Sequence, residues 1–179
     1  YINNERLRRM LNDVSLITRM EDGGQHITRE RIVLNHILQE IAGELDVLPE
    51  EEQLTLHIDF PEEVTVEGNL SLLGSIFRNL TENAIAYSEG KNIWITLLEN
   101  NGGHCRIRFE DDGKGVAPHQ LVHLFDRFYR VDKGRSRQKG GTGLGLSIVK
   151  HAVQFHGGTI SVSNRPQGGL RFEFTMKTR

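Results

Sequence analysis

The chain is short of several things, and each shortage excludes something. It has one cysteine, Cys105, in 179 residues, which rules out an internal disulfide framework and suits a reducing compartment. Cys105 falls in an alternating apolar–polar stretch and is expected to be a small buried residue. Formal net charge is only −2, so there is no global basic field for nucleic acid, and none is expected as a partner. No apolar run nears the ~20 residues that span a bilayer as a helix. Nothing like a signal peptide opens the chain, which is expected to start inside a helix and to be part of something longer. There are no repeats and no low-complexity segments, and the eight histidines follow no metal-ligand spacing. What remains is 37% apolar and 26% charged, the make-up of a soluble globular domain with a small appendage.

Glycine and local charge are present in a pattern. Asp111-Asp112-Gly113-Lys114-Gly115 sets a carboxylate before two glycines, and Gly141-Thr142-Gly143-Leu144-Gly145-Leu146 runs into an amphipathic helix. Between them lie Arg130, Lys133, Arg135, Arg137 and Lys139 against a single acid, Asp132. A carboxylate accepts from an exocyclic amine such as adenine's. Glycines admit a ligand close to the backbone, and free N–H groups at a helix start attract phosphate. Either stretch alone would pass for a turn. In this order, around a cationic loop, they read as a purine nucleotide site with a lid over 129–142 that orders when nucleotide supplies the opposing charge.

Along the chain, 1–21 reads as a helix with Leu7, Met10, Val14 and Ile17 in an a/d stripe beside Leu11. The stripe either docks on the same chain or, the favoured reading, forms a hairpin or dimer seam, with a domain boundary at Gly23-Gly24. A second helix is expected from Thr28, as N-cap, to Glu44. Strands are expected over Leu54–Asp59 and Val64–Val66, then a third helix from Asn69 to Tyr87. Strands follow at 92–98 and 104–110, joined by Asn100–Gly103, a turn read as longer than the tightest class. Pro118–Phe125 and Leu144–Phe155 are helices, Gly157-Gly158 a stop, and 159–164 and 170–176 the closing strands. The fold class is α+β: a two-layer sandwich of a mainly antiparallel sheet with helices on one face.

Asn79 and Asn83 share one helix face at i, i+4. Asparagine is a poor mid-helix residue, so two on one face want a reason. Their carbonyl oxygens are hard ligands suited to Mg²⁺ bridging nucleotide phosphates, or they cross-link neighbouring backbone. Glu82 is read as a surface residue, with a base or water-positioning role as the sharper alternative. Phe125 and Phe128, at i, i+3, read as core packing that also seats the lid. Arg130 is placed to stabilise phosphate charge.

Asn79-Leu80-Thr81-Glu82-Asn83-Ala84, Asp111–Gly115, Phe125-Asp126-Arg127-Phe128-Tyr129-Arg130 and Gly141–Leu146 resemble the N, G1, F and G2 boxes of sensor histidine kinases, over residues 26–177. Residues 1–23 resemble the second helix of that family's dimerisation and phosphoacceptor hairpin, which leaves 24–179 as the catalytic domain. The resemblance implies the Bergerat ATP-binding sandwich, with ATP and Mg²⁺ as cofactors. Asn83 would hold the metal and Asn79 support the phosphates. Asp111 would accept from adenine, Gly113 and Gly115 would shape the base pocket, and Gly141, Gly143 and Gly145, with Leu144 and Leu146 in the same turn, would cradle phosphates. Tyr87, Phe128, Arg130 and Arg135 would stand near the nucleotide, with Asn79, Asn83 and Arg130 catalytic. The implied partners are the histidine hairpin of the parent, a response regulator receiver domain and a second copy of the parent. The implied location is cytoplasmic, in a parent of the inner-membrane sensor kind.

Three departures from the resemblance stand out. Ala86 replaces the family's lysine, Leu170 follows Gly169 where a threonine is usual, and the acceptor histidine with proline five residues on is missing. His57 has Pro61 at +4, in a strand pattern. The acceptor is therefore expected outside this chain. Two rivals remain: an ATPase of the gyrase, Hsp90 or mismatch-repair kind, which would carry glutamate where Asn79 stands, and a degenerate nucleotide-binding dimerisation module.

Overall fold

A computed structural model describes residues 2–131 and 142–179. Helix α1 (Ile2–Glu21) packs on α5 (Gly145–Phe155) of the same chain, burying Ile17 and Met20. Of the expected stripe, Ile17 is buried within the chain and Met10 packs on the same core. Leu7, Leu11 and Val14, further along the stripe, stay exposed. No described helix is long and apolar enough to cross a membrane.

The expected helix from Thr28 is corrected. Glu30–Val33 is a strand, β1, and α2 runs only from Leu34 to Asp46. The β-branched pair Ile32-Val33 favours extended backbone, and β1 pairs antiparallel with β3 (Thr65–Gly68), Ile32 facing Val66. The first turn of α2 is tied to that neighbour, since Leu34 N donates to Val64 O at 2.9 Å. Thr28 caps nothing; its carbonyl accepts from Asn69 Nδ2 at 3.0 Å.

Helix α3 (Leu70–Asn83) starts where Asn69 Oδ1 accepts from Leu72 N at 3.0 Å, a side-chain cap. Leu72, Leu73, Ile76, Phe77 and Leu80 bury its inner stripe. The α-helix ends at Asn83, four residues before Tyr87, and Ala84–Ser88 winds as a π turn. Such turns often sit at functional sites because they re-aim side chains.

The main sheet orders its strands β2-β4-β5-β7-β6: β2 (Thr55–Asp59), β4 (Asn92–Asn101), β5 (His104–Asp111), β6 (Ile160–Asn164) and β7 (Leu170–Lys177). Among the described strands of this sheet only the β2–β4 pair is parallel. The β4–β5 hairpin turns on Gly102-Gly103 alone, with Asn101 paired to His104, so it belongs to the tightest class after all. Both glycines have positive φ, 60° and 81°, which the right-handed strand twist demands of a two-residue loop. Ile93, Ile95, Ile107, Phe109, Phe172 and Phe174 bury one face of the sheet under the helices. The alternate residues carry polar pairs such as Arg108–Glu173 at 2.9 Å and Arg171–Glu110 at 2.8 Å. The expected two-layer sandwich is found, with the short β1–β3 ladder beside it. Residues 118–125 are helical only over α4 (Pro118–Leu121).

Two buried groups have chemical consequences. Burial pushes the Cys105 thiol up to about 11, so its thiolate at neutral pH is scarcer than that of a free cysteine by roughly two orders of magnitude. Labelling by a disulfide reagent is expected only after denaturation; rapid labelling of the native chain would show that β5 opens. His156 ties α5 to α3: its Nδ1 lies 2.7 Å from Ala152 O, and Asn69 N donates to Nε2 at 3.2 Å. Those partners assign the proton to Nδ1, and burial lowers the pKa of the ring. In the unfolded chain the ring takes a proton near its ordinary value of ~6.5, while the folded ring still resists. Stability from His156 is therefore complete above that value and lost as pH falls from it towards the lowered folded value. Thermal denaturation from pH 7.5 to 5 should show this slope, and His156→Gln should flatten it.

Candidate functional site

One cleft gathers residues from six stretches of the chain. Asn79, Glu82 and Asn83 come from the end of α3, and Ala86, Tyr87 and Ser88 from the π turn. Asp111, Lys114, Gly115 and Val116 follow β5; Leu124, Tyr129, Arg130 and Val131 form another wall. Thr142, Gly143, Gly145 and Leu146 open α5, with Leu170 of β7 and Arg9 of α1 completing the lining.

Asp111 closes β5 and is 3% exposed. Its Oδ1 accepts from Gly113 N at 2.9 Å and from Leu170 N at 3.2 Å. Two donors on one oxygen leave Oδ2 as the acceptor facing the cleft. Burial raises the carboxyl above the usual range, against the lowering effect of those two N–H groups. The neighbouring Asp112 does a different job: its Oδ1 accepts from Lys91 N and Asn92 N, each at 2.8 Å, holding the strand start opposite. Gly169, φ 100°, lets β7 approach this closely; a Cβ there would sit 2.0 Å from Asp111 O.

Asn79 and Asn83 both reach the cleft from one face of α3. Asn79 Nδ2 donates back to Ser75 O at 2.8 Å, so the backbone cross-link and the outward oxygen coexist in one side chain. That oxygen lies against Gly145, where a Cβ would be 2.9 Å from it. Glu82 is exposed, as expected, yet it lines the cleft and pairs with Arg9. Thr142 Oγ1 accepts from Leu144 N at 3.2 Å, which starts α5, and donates to Asp13 Oδ2 at 3.1 Å.

Tyr87, Gly115, Arg130, Gly143, Gly145 and Leu146 line the cleft as expected of site residues. Three others do not. Gly113 packs on Ser88, where a Cβ would meet Ser88 O at 2.1 Å; its contribution is the N–H given to Asp111. Leu144 is fully buried. Phe128 has φ 63° and is 52% exposed; that backbone turn sends its ring away from core and cleft, while its N–H donates to Gly143 O at 2.7 Å. Only Phe125 packs inward, edge-on to Phe172 with centroids 6.1 Å apart. Lys133, Arg135, Arg137, Lys139, Asp132 and Gly141, with most of the expected lid, lie outside the described residues.

A buried acceptor at one end, paired amide oxygens at the other and a helix start between them suit a purine polyphosphate. Residues 68–179 match the family described as histidine kinase-, DNA gyrase B-, and HSP90-like ATPase. The chain belongs to that ATPase family.

Among the relatives of this ATPase domain, sensor-like histidine kinase SenX3 of Mycolicibacterium smegmatis is 34% identical over 172 residues, which are 96% of this chain and 44% of that protein. Sensor histidine kinase CpxA of Escherichia coli is 34% identical over 168 residues, 93% of this chain and 36% of CpxA. The chain spans less than half the length of these curated relatives. Full-length ShkA, solved in complex with AMPPNP, superposes with a TM-score of 0.79 at 24% identity, over 97% of this chain and 36% of that one. AdeS of Acinetobacter baumannii gives 0.79 at 20% identity, over 98% and 80%. These structures establish the fold. In sequence the chain is similar to the sensor histidine kinases SenX3 and CpxA, over the part that carries this ATPase family's domain.

Sequence reading missed several lining residues of this ATPase domain. Leu124, Tyr129 and Val116 sit inside or beside the motifs and were within reach of it. Arg9 was not: its partner Glu82 lies 73 residues away, and nothing local marks an arginine on a helix as pocket-facing. The two substituted positions, Ala86 and Leu170, both line the cleft, so the departures from the family pattern fall inside the site.

Proposed function

We propose that the cleft binds Mg·ATP and that the domain hands its γ-phosphoryl group to a histidine side chain outside this chain, for relay to a response regulator receiver domain. The observation that carries this reading is Asp111: a buried carboxylate with one oxygen committed to two backbone donors and the other left for a ligand amine. Adenine meets that oxygen. The triphosphate then runs towards Asn79, Asn83 and the start of α5, where Gly143 and Gly145 bring backbone close. Arg130 adds positive charge to the phosphates. The complex of ShkA with AMPPNP supports an adenine nucleotide in this fold.

A divalent ion fits the donor chemistry. Among the described residues no group of three or more His, Cys, Asp or Glu side chains is placed to hold a metal. An ion here would therefore lean on Asn83, on phosphate oxygens and on water, as Mg²⁺ does. When bound it would supply positive charge that offsets the charge of the phosphates. The chain's own residues position the γ-phosphorus for in-line attack. The imidazole nitrogen then bonds to it, the bond to the β,γ-bridging oxygen breaks, and ADP leaves. Asn79, four residues before Asn83, cannot act as the glutamate base that would activate water, which favours transfer over hydrolysis.

We assign residues 1–23 to the second helix of a dimerisation hairpin and 24–179 to the catalytic domain. The exposed Leu7, Leu11 and Val14 support a further helix partner in a homodimeric parent. The use of ATP supports a cytoplasmic position. The test is ATP titration followed by transfer to a supplied histidine hairpin. The chain alone should bind ATP yet take no acid-labile label from γ-labelled ATP, since none of its histidines has proline at +5. Stable acid-labile label would place the acceptor within it.

A further inference from the structure

The α3 side of the cleft has no positive charge of its own. Asn79, Glu82, Asn83, Ala86, Tyr87 and Ser88 are neutral or acidic. Glu82 puts a carboxylate beside Asn83, at the end of the cleft that takes phosphates, and like charges at close range repel. Among the described lining residues the cations are Arg9, Lys114 and Arg130. Lys114 is paired with Glu89 at 3.1 Å. Arg9 meets Glu82 and comes from neither the α3 wall nor the glycine-rich turn, but from α1.

Helix α1 is fixed at this place by contacts on both sides of the cleft. Ile17 and Met20 are buried, with α1 packed on α5. Asp13 accepts from Thr142 Oγ1 at 3.1 Å, and Glu21 pairs with Arg127. With its side chain 49% exposed, Arg9 is anchored through its helix and free to turn at its tip. A guanidinium fork binds phosphate oxygens at least as well as a carboxylate, and a polyphosphate offers more of them.

We propose that Arg9 is a phosphate-binding residue of the nucleotide cleft, delivered by α1, which leaves Glu82 for the polyphosphate when ATP binds. The assignment rests on the reading of the cleft as an ATP site. It makes α1 part of that site: docking of α1 raises affinity for ATP, and ATP in turn holds α1.

The test uses the whole chain, titrated with ATP and with adenosine. Arg9→Gln should weaken ATP roughly fivefold, the scale of a half-exposed charged contact, and leave adenosine unchanged. Arg9→Lys should keep most of the ATP affinity, and Glu82→Gln should tighten ATP by removing the competing carboxylate. Equal changes for ATP and adenosine in Arg9→Gln, or no change in either, would overturn the assignment by reducing the Arg9–Glu82 pair to a packing contact. If the unaltered chain binds adenosine and ATP equally, the phosphate end is misread. If it binds neither, the nucleotide reading falls and Arg9 with it.

Discussion

Replacing Asp111 with asparagine is expected to raise the dissociation constant for ATP by roughly ten- to a hundredfold, more than loss of charge alone suggests. Gly113 N and Leu170 N both donate to Oδ1. If the asparagine oxygen keeps that place, its NH₂ faces the cleft and opposes the adenine amine, donor against donor. If the amide turns over, its NH₂ faces two backbone donors in a buried site. Either way a charge-assisted hydrogen bond worth ~1.5–3 kcal/mol is lost, and that energy converts to the stated range. Titration with a fluorescent ATP analogue reads it; unchanged affinity would remove Asp111 from the base site. The wild-type residue also carries a pH signature. Burial raises its folded pKa, so as pH falls the carboxylate protonates before a free aspartate at ~3.9 would, and ATP binding weakens. Stability moves the other way: over the same window the folded chain binds more protons than the unfolded one, so this residue's contribution improves as pH falls. Asp111→Asn should abolish both trends.

Asn83→Ala is expected to weaken Mg·ATP at least about tenfold while changing metal-free ATP by less than about twofold, because the lost oxygen serves the metal and not the purine. The substitution should not harm the helix. Asn83 is the last residue of α3, and alanine is the better helix former. Titrations with Mg²⁺ and with EDTA separate the cases, and equal losses in both would make Asn83 a structural residue only.

Much of this site was legible because its residues cluster in short runs whose chemistry needs adjacency. Asp111 with Gly115, Asn79 with Asn83, and Gly143 with Gly145 all line the cleft, and Gly113 stands behind it with its N–H on Asp111. The misreadings share a cause in long-range structure. Ile32, Leu34, Ile37, Leu38 and Ile41 look like one helical face, but the partner that draws Ile32 into a strand is Val66, far along the chain. Phe128 reads as core by spacing, and only its positive φ turns it outward. The stripe on α1 looks uniform, yet α5 covers Ile17 and leaves Leu7 exposed. Pattern tells which residues want burial; it does not say which neighbour supplies it.

Strand order has a consequence for how the domain comes into being during translation. β7, the last described strand, lies between β5 and β6, and among the described strands β6 pairs with β7 alone. A nascent chain that has emerged only as far as Asn164 therefore holds β6 without a sheet to join. The N–H of Leu170 that orients Asp111 is still inside the ribosome. Nucleotide cannot assist the early stages of folding, because the base site is completed by the same segment that completes the sheet.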